Sequence, residues 1–427
     1  MEKFSDIHLV DKKTASGSIQ FFAKYDKQQD VIAKACILFT DYKKFKRSLR
    51  SKLEKKVSKA QKSRPEIGLF FKNMDKEYED YKMLISGLKY ENKIYSEILD
   101  PLIKNGLSRN FIDFVALDHF STEKLVSILF PNALPTKVLH SMFAGFETAL
   151  SMFLLSNDGI DKDNIEIGRD GFYIPKSLLL QEILKFTKVE CLIIKRITNV
   201  RTFNAFLFHE SVSEEVMKQL MFQLFYTLYL MENIKLQHND LHLDNILIEQ
   251  LNSPTKLEYV VQGKNFAVNT KYLLRVFDWD RSYVYDSHFG KNEILKLSMY
   301  AQIRLDDLNR RVKYFDYFTV LCSIITTLYL YRFQHSFPFL NKKKMLSLFP
   351  KLFKSGLFYI NEKGNITGYN KGENFITTDG KSCRPNKLDK LSKLDDLTDV
   401  LLTPWFQTFN TDNPPSRWQN ILDFLNM

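Results

Sequence analysis

The strongest chemical signal in this 427-residue chain is a polar motif that runs into an apolar strand pattern. Residues 237–249 read QHNDLHLDNILIE, so that Asn245 follows Asp240 by five positions. Phosphoryl transfer requires a group that orients the acceptor hydroxyl and accepts its proton, and a Mg²⁺ ion that bridges the nucleotide phosphates. A carboxylate and an amide oxygen on one rigid loop can meet both needs. The motif therefore predicts Asp240 as the base and Asn245 as a metal ligand.

A second polar motif follows the next strongly apolar segment. Residues 271–280 read KYLLRVFDWD, in which a predicted strand delivers Asp278 into a turn. Mg²⁺ is a hard cation that prefers oxygen ligands, so a carboxylate at this position can hold it. An aspartate in a turn is usually a backbone cap. Two such motifs in this order, each beside an apolar strand, nevertheless favour a kinase site with Asp278 as a second metal ligand.

Strand and helix patterns must position these motifs. The chain begins with a predicted strand, turn and strand over residues 19–39, and another buried strand is predicted at 189–197. Ser211 and Glu214 predict a capping box for a long helix that ends near Asn233. Residues 110–188 have a mostly helical pattern. The long connection before Asp278 predicts an extended hairpin over residues 249–271.

Positive charge is concentrated near the N-terminus. The net charge is +11, and residues 43–64 contain eleven lysines and arginines against Glu54 alone. Such a block either binds an acidic or nucleic-acid-associated partner or an acidic membrane surface, or forms a solvated, partly flexible insert. The four cysteines form no C-x-x-C pair, which argues against a disulfide framework or a zinc site. With no signal-peptide pattern and an apolar run of only 317–331, the expectation is a soluble intracellular protein without a membrane span.

The two polar motifs resemble the catalytic loop and the metal-binding loop of the protein-kinase-like superfamily. They are similar to those of atypical serine/threonine kinases of large cytoplasmic DNA viruses. The resemblance covers residues 10–335 as an order of elements and is specific only near 238–245 and 276–281. It implies an α+β fold, namely a two-lobed protein-kinase-like fold with insertions and a divergent C-terminal region, with ATP and Mg²⁺ as cofactors.

The resemblance also implies a domain organisation. Residues 1–200 would form an N-lobe with the basic insert and a helical extension, residues 201–340 the catalytic C-lobe, and residues 341–427 an extension of the C-lobe. Asp316 would brace the catalytic loop from a C-lobe helix.

Further site residues follow from the resemblance alone. Ser16, Gly17 and Ser18 would stand for the glycine-rich loop, whose backbone amides cover the phosphates. Lys34 would be the phosphate-binding lysine and Glu91 its ion-pair partner from the following helix. Lys72 competes with Lys34 for this role, because residues 69–72 could equally end a strand.

The catalytic loop departs from the ordinary protein-kinase pattern. Asn239 stands where an arginine precedes the base, and His242 stands where a lysine follows it. The sequence HNDLH is closer to aminoglycoside and choline kinases, as is the acidic Asp280 in place of the usual glycine. His242 could contact the γ-phosphate or bond within the loop, and Arg281 could approach phosphate or pair with a surface carboxylate.

Three functions remain open on these residues. The first is a serine/threonine protein kinase that phosphorylates a protein substrate, in the host cytoplasm or the virion if the protein is viral. The second is a small-molecule kinase, and the third is a catalytically dead kinase-like binding protein. The presence of Asp240, Asn245 and Asp278 disfavours the third.

Overall fold

The computed structural model of the chain is a mixed α+β structure with a five-stranded antiparallel sheet. The residues that the structure describes are 3–10, 18–57, 64–131, 167–168, 171–172, 176–209, 212–285, 288–296, 314–330, 347–351, 358–360, 366–369, 377–378, 383–384 and 394–413. The chain divides into two compact units. Residues 1–96 and 114–196 form the first unit, and residues 97–113 and 197–427 form the second. The expected boundary near residue 200 is close to the observed division after 196, whereas segment 97–113 belongs to the second unit.

The first unit is built on the five-stranded sheet, whose strand order is β1-β2-β3-β7-β4. These strands are β1 (Phe4–Leu9), β2 (Ile19–Tyr25), β3 (Gln29–Phe39), β4 (Phe114–Ser121) and β7 (Thr187–Lys195). Two short strands, β5 (Ile167–Gly168) and β6 (Gly171–Phe172), pair separately. The predicted strands at 19–39 and 189–197 are confirmed. The helical interpretation of residues 110–188 is wrong for β4. This segment is an edge strand of the sheet and pairs antiparallel with β7.

Helices share one apolar core with this sheet. They are α1 (Tyr42–Val57), α2 (Arg64–Ile94), α4 (Thr122–Leu129) and α5 (Lys176–Phe186). Over residues 43–57 the basic block is not a flexible insert but part of helix α1, in which Phe45, Leu49 and Leu53 recur at four-residue spacing and are fully buried. Residues 58–63 of the block lie outside the described residues. Its cationic side chains occupy the remaining faces of the helix, where Lys46 pairs with Asp75.

A π-helical turn at Tyr95–Leu99 follows α2 and leads into α3 (Asp100–Lys104), which belongs to the second unit. Proline tolerates the first turn of a helix because its missing N–H has no intrahelical acceptor there. Pro101 occupies that first turn of α3, and Leu99 before it keeps helical φ and ψ of −71° and −42°, so the chain continues from the π-helical turn into α3.

The second unit is centred on helix α7 (Glu214–Asn233). Strand β8 (Val200–Thr202) and helix α6 (Phe203–His209) precede it in the chain. The N-cap of α7 is Ser213, whose hydroxyl accepts from Val216 N at 3.3 Å, so the capping box predicted at Ser211 is in the wrong register. Every residue from 217 to 228 is buried, and the Phe222 ring meets aromatic rings from both neighbouring strands and the C-terminal region.

A long antiparallel hairpin adjoins α7. Strands β10 (Ile246–Val261) and β11 (Lys264–Val276) are joined by Gln262 and Gly263, and β10 also pairs with β8. Both turn residues have positive φ, 49° and 76°, which matches the primed turns that suit tight hairpins. The predicted extended hairpin is confirmed. One candidate site residue, Asn245, directly precedes β10, and another, Asp278, follows the end of β11.

The remaining strands and α-helices of the described residues are short apart from one helix. They are β9 (Leu236–Gln237), β12 (Tyr283–Val284), α8 (Phe315–Leu330), β13 (Phe358–Ile360), β14 (Ile366–Tyr369), β15 (Thr377–Thr378), β16 (Cys383–Arg384) and α9 (Leu397–Leu401). Strand β9 pairs with β12, and β13 pairs with β14 as a hairpin. None of the helices in the described part of the chain has the length and apolar character that a membrane span needs.

Candidate functional site

The loop between β9 and β10 is organised around the main-chain carbonyl of Asp240. This oxygen accepts from His242 N and from Asn245 Nδ2, each at 2.9 Å. Asn245 N in turn donates to His242 O at 2.9 Å, within a single 3₁₀ turn at Leu243–Asn245. Asp240 and Asn245 are each only 6% exposed. Because the amide nitrogen of Asn245 is engaged inside the loop, its Oδ1 is the atom that remains for a metal.

Asp316, in the first turn of α8, braces this loop from below. Its two carboxylate oxygens accept from His238 N at 2.6 Å and from Asn239 N at 2.9 Å. Asn239 adopts φ of 67°, a left-handed conformation that is strained for most non-glycine residues but tolerated by asparagine. The carboxylate thus satisfies two consecutive buried amides at the point where the chain turns toward Asp240.

Asp278 is placed beside Asn245 by the base of the hairpin. Ile246 of β10 and Val276 of β11 are cross-strand partners, and Phe277 N donates to Asn245 O at 3.2 Å one residue further out. Asp278 comes next and has φ of 69°. A positive φ in a non-glycine residue turns the chain sharply out of the strand and is often found at functional sites. The structure therefore brings both predicted metal ligands to the same end of the hairpin.

His238 fills the space beneath the two loops. Its ring is fully buried, Nε2 lies 2.9 Å from Phe277 O, and the ring centroid lies 4.7 Å from that of Trp279. Burial lowers the pKa of His238 below its ordinary value, although the Phe277 carbonyl and the carboxylates of Asp240 and Asp278 act in the opposite direction. A neutral imidazole that donates to Phe277 O ties the loop before β10 to the turn after β11.

The side chains of Arg281 and His242 approach the Asp240 carboxylate. Arg281 Nη1 contacts Asp240 Oδ2 in a direct ion pair, and His242 Nε2 lies 3.8 Å from the same oxygen. The other ring nitrogen of His242 accepts from Asp244 N at 3.2 Å, so His242 bonds within the loop. Arg281 pairs with a carboxylate, although not with one at the surface, and its approach to phosphate stays a prediction. That carboxylate belongs to Asp240, on the predicted catalytic loop. Sequence analysis did not identify this partner, because 41 positions separate the two residues.

In the first unit, Lys34 and Glu91 form a buried ion pair. Lys34 Nζ lies 2.7 Å from Glu91 Oε1, and the two side chains are 8% and 1% exposed. A buried charge requires a partner of opposite charge, and each residue here supplies it for the other. The pair expected from the resemblance is present, while phosphate binding by Lys34 stays a prediction.

The competing lysine and the glycine-loop residues have different outcomes. Lys72 lies exposed within α2, so residues 69–72 do not end a strand as the alternative required. Ser18 is buried immediately before β2. Ser16 and Gly17 lie outside the described residues.

The donor chemistry at the hairpin base can be tested against Mg²⁺. Asn245 and Asp278 offer an amide oxygen and a carboxylate, the hard oxygen donors that this ion takes, usually with water and phosphate oxygens completing the octahedron. Nitrogen and sulfur ligands of a zinc site have no counterpart there, and the described residues contain no cluster of three or more His, Cys, Asp or Glu suited to a metal. The residues present fit a magnesium ion held jointly with a nucleotide.

Comparison with known protein families finds no family model that matches this chain, and comparison with curated proteins finds no match.

Proposed function

We propose that this protein is an ATP-dependent phosphotransferase with a two-lobed protein-kinase-like fold, and that it acts as a serine/threonine protein kinase. The observation that carries the proposal is the joint placement of Asp240, Asn245 and Asp278. One hairpin, one buried histidine and one helix carboxylate hold these three side chains in the second unit. The likeness of the motifs to atypical kinases of large cytoplasmic DNA viruses supports the same proposal and a viral origin.

In the proposed reaction, Asp240 orients the acceptor hydroxyl and accepts its proton. The hydroxyl oxygen bonds to the γ-phosphorus while the bond from that phosphorus to the β–γ bridging oxygen breaks, which leaves ADP. Asn245 and Asp278 would hold Mg²⁺, which supplies neutralising charge on the phosphate oxygens when bound. In the first unit, Lys34 would bind nucleotide phosphate, and Glu91 would hold its ammonium in place.

The small-molecule kinase is the second candidate. It is favoured by the sequence HNDLH and by Asp280, both of which are closer to aminoglycoside and choline kinases than to ordinary protein kinases. Site chemistry alone does not separate the two functions, because both classes of kinase use a base and a pair of residues that hold Mg²⁺. The basic helix α1 favours a protein substrate or partner with acidic character.

The acceptor decides between these functions. The assay measures transfer of labelled γ-phosphate from ATP, in the presence of Mg²⁺, by the purified protein. The acceptors are generic acidic and basic proteins, the protein itself and pooled small-molecule alcohols. Every acceptor is also tested with the Asp240→Asn variant. Label on serine or threonine that disappears in the variant is the result we expect. Label confined to a metabolite would replace the protein-kinase proposal with the small-molecule one. ATP binding without any transfer would support a binding protein instead.

A further inference from the structure

The Asp240 carboxylate has a cationic partner from outside its own loop. Arg281 Nη1 contacts Asp240 Oδ2, and Arg281 lies in the turn that follows Asp278. The Asp240 side chain is 7% exposed and that of Arg281 is 22% exposed. Hydrogen bonds between two ionised groups are stronger than neutral ones and fix the orientation of the carboxylate.

The turn that carries Arg281 is itself fixed on both sides. Asn239 Nδ2 donates to Arg281 O at 2.9 Å, so the residue before Asp240 holds the main chain of Arg281. Asn292 Nδ2 donates to Asp280 O at 2.8 Å and to Ser282 O at 2.9 Å, which are the carbonyls on either side. The backbone that carries the Arg281 side chain is therefore fixed, so that its engagement with Asp240 restricts side-chain rotamers but no further backbone freedom.

The catalytic loop itself does not bring a cation into contact with the base. Ordinary protein kinases carry an arginine before the base and a lysine two positions after it, and these positions hold Asn239 and His242 here. Asn239 bonds Arg281 O, and the Nδ1 of His242 accepts from Asp244 N. The remaining nitrogen of His242, at 3.8 Å from Asp240 Oδ2, is beyond hydrogen-bond distance.

We propose that Arg281 is a positioning residue, which holds the Asp240 carboxylate for phosphoryl transfer and supplies from the metal-binding turn the cation that the catalytic loop lacks. This inference rests on the proposed function. In this role the guanidinium fixes the orientation of the carboxylate that accepts the proton of the acceptor hydroxyl. Removal of Arg281 leaves a nearly buried carboxylate without this anchor, so that the base loses its fixed orientation while the nucleotide-binding residues are untouched.

The test compares kcat, the KM for ATP and the melting temperature of the full chain across four variants. Arg281→Gln should lower kcat by about 100-fold, the scale seen when one preorganised charge-stabilising donor is removed. Its KM for ATP should change by less than about threefold, because Arg281 acts through the base. Arg281→Lys should retain a cation and lose less. Arg201→Gln, an exposed arginine of β8 in the same unit, serves as the matched control and should resemble wild type.

Rescue by a second cation separates positioning from a structural role. His242→Lys places an ammonium two positions after the base, and the double variant Arg281→Gln with His242→Lys should regain at least about tenfold in kcat over Arg281→Gln. If Arg281→Gln does not fold, the kcat of the double variant is compared with that of Arg281→Lys. The inference predicts that the two values are comparable. Two results would overturn the inference and leave the proposed function standing. In the first, kcat depends on Asp240 but falls by less than twofold in Arg281→Gln. In the second, the kcat of the double variant is no higher than that of Arg281→Gln. Absence of transfer by the wild-type chain overturns both the inference and the proposed function.

Discussion

At the scale of residues, each unit contains candidate functional residues that are buried charges with specific partners. Asp316 accepts from two backbone amides, Lys34 pairs with Glu91, and Asp240 pairs with Arg281. Charges are seldom buried without such partners, because their desolvation is unfavourable by several kcal/mol. The partners therefore hold the side chains that the proposed chemistry needs.

The Lys34–Glu91 pair gives a prediction with a control inside the same unit. Lys34→Met should lower kcat/KM for ATP by about 100-fold, because a phosphate-binding ammonium is lost. Lys72→Met removes the lysine that competed with it in the sequence but lies exposed on α2, and it should leave kcat/KM within about twofold. Steady-state kinetics on both variants make the comparison. A large loss in Lys72→Met with none in Lys34→Met would show that the assignment is wrong.

Sequence reasoning was most successful where chemistry and local structure coincide. The motif containing Asp240 and Asn245 and the one containing Asp278 identified residues that the hairpin base brings together, because a strand pattern beside each motif fixed its place. Arg281 could not be assigned a partner, since an ion pair between distant positions is decided by tertiary structure. The order of Lys34 before Glu91 suggested their pairing only through resemblance to a family.

At the scale of elements, the site depends on the β10–β11 hairpin and on α8. The hairpin was predictable from its apolar runs and its Gln262-Gly263 turn. Strand β4 was not, because the pattern of residues 110–188 gave no clean two-residue alternation over 114–121, and its pairing with β7 decides the outcome. Helix α1 was missed because its lysines and arginines obscured the apolar stripe of Phe45, Leu49 and Leu53.

Helix α8 should keep the loop between β9 and β10 ordered by means of one side chain, that of Asp316. Asp316→Ala leaves the amides of His238 and Asn239 without their acceptor, and each buried amide left in this way is unfavourable by about 1–3 kcal/mol. We expect a lower free energy of unfolding by at least about 2 kcal/mol and a marked fall in kcat. Denaturant titration and initial rates measure both. Asp412→Ala, at an exposed position, is the control. Unchanged kcat in a folded Asp316→Ala protein would contradict the bracing role.

At the scale of the whole molecule, the chain crosses between its two units more than once. Segment 97–113 leaves the first unit, joins the second, and returns as β4. A buried network anchors it there. Asn110 Nδ2 donates to Gln223 Oε1 at 3.0 Å and to Leu274 O at 2.8 Å, and Arg275 Nη1 donates to Phe111 O at 2.7 Å. The predicted domains were continuous stretches of sequence, so they could not include a segment such as 97–113 that leaves one unit and returns to it.

The buried network predicts a stability effect in the second unit. Asn110 is 0% exposed, and Asn110→Ala removes the donor for Leu274 O and the partner of Gln223. The free energy of unfolding should fall by about 2 kcal/mol or more, because buried polar atoms lose their hydrogen bonds. Arg109→Ala, whose side chain is exposed one position earlier, should change it by less than about 0.5 kcal/mol. Equal effects of the two substitutions in denaturant titrations would argue against an anchoring role for Asn110.

The most direct test of the central claim is Mg²⁺-dependent transfer of γ-phosphate by the full chain, measured for wild type, Asp240→Asn and Asp244→Asn. The last variant changes a carboxylate on the same loop that accepts from Thr202 Oγ1 at 3.2 Å and has no role in the proposed chemistry. The account predicts transfer by wild type and by Asp244→Asn, loss of at least about 100-fold in Asp240→Asn, and none in the presence of a chelator. Transfer that persists in Asp240→Asn, or that does not require a divalent cation, would contradict it.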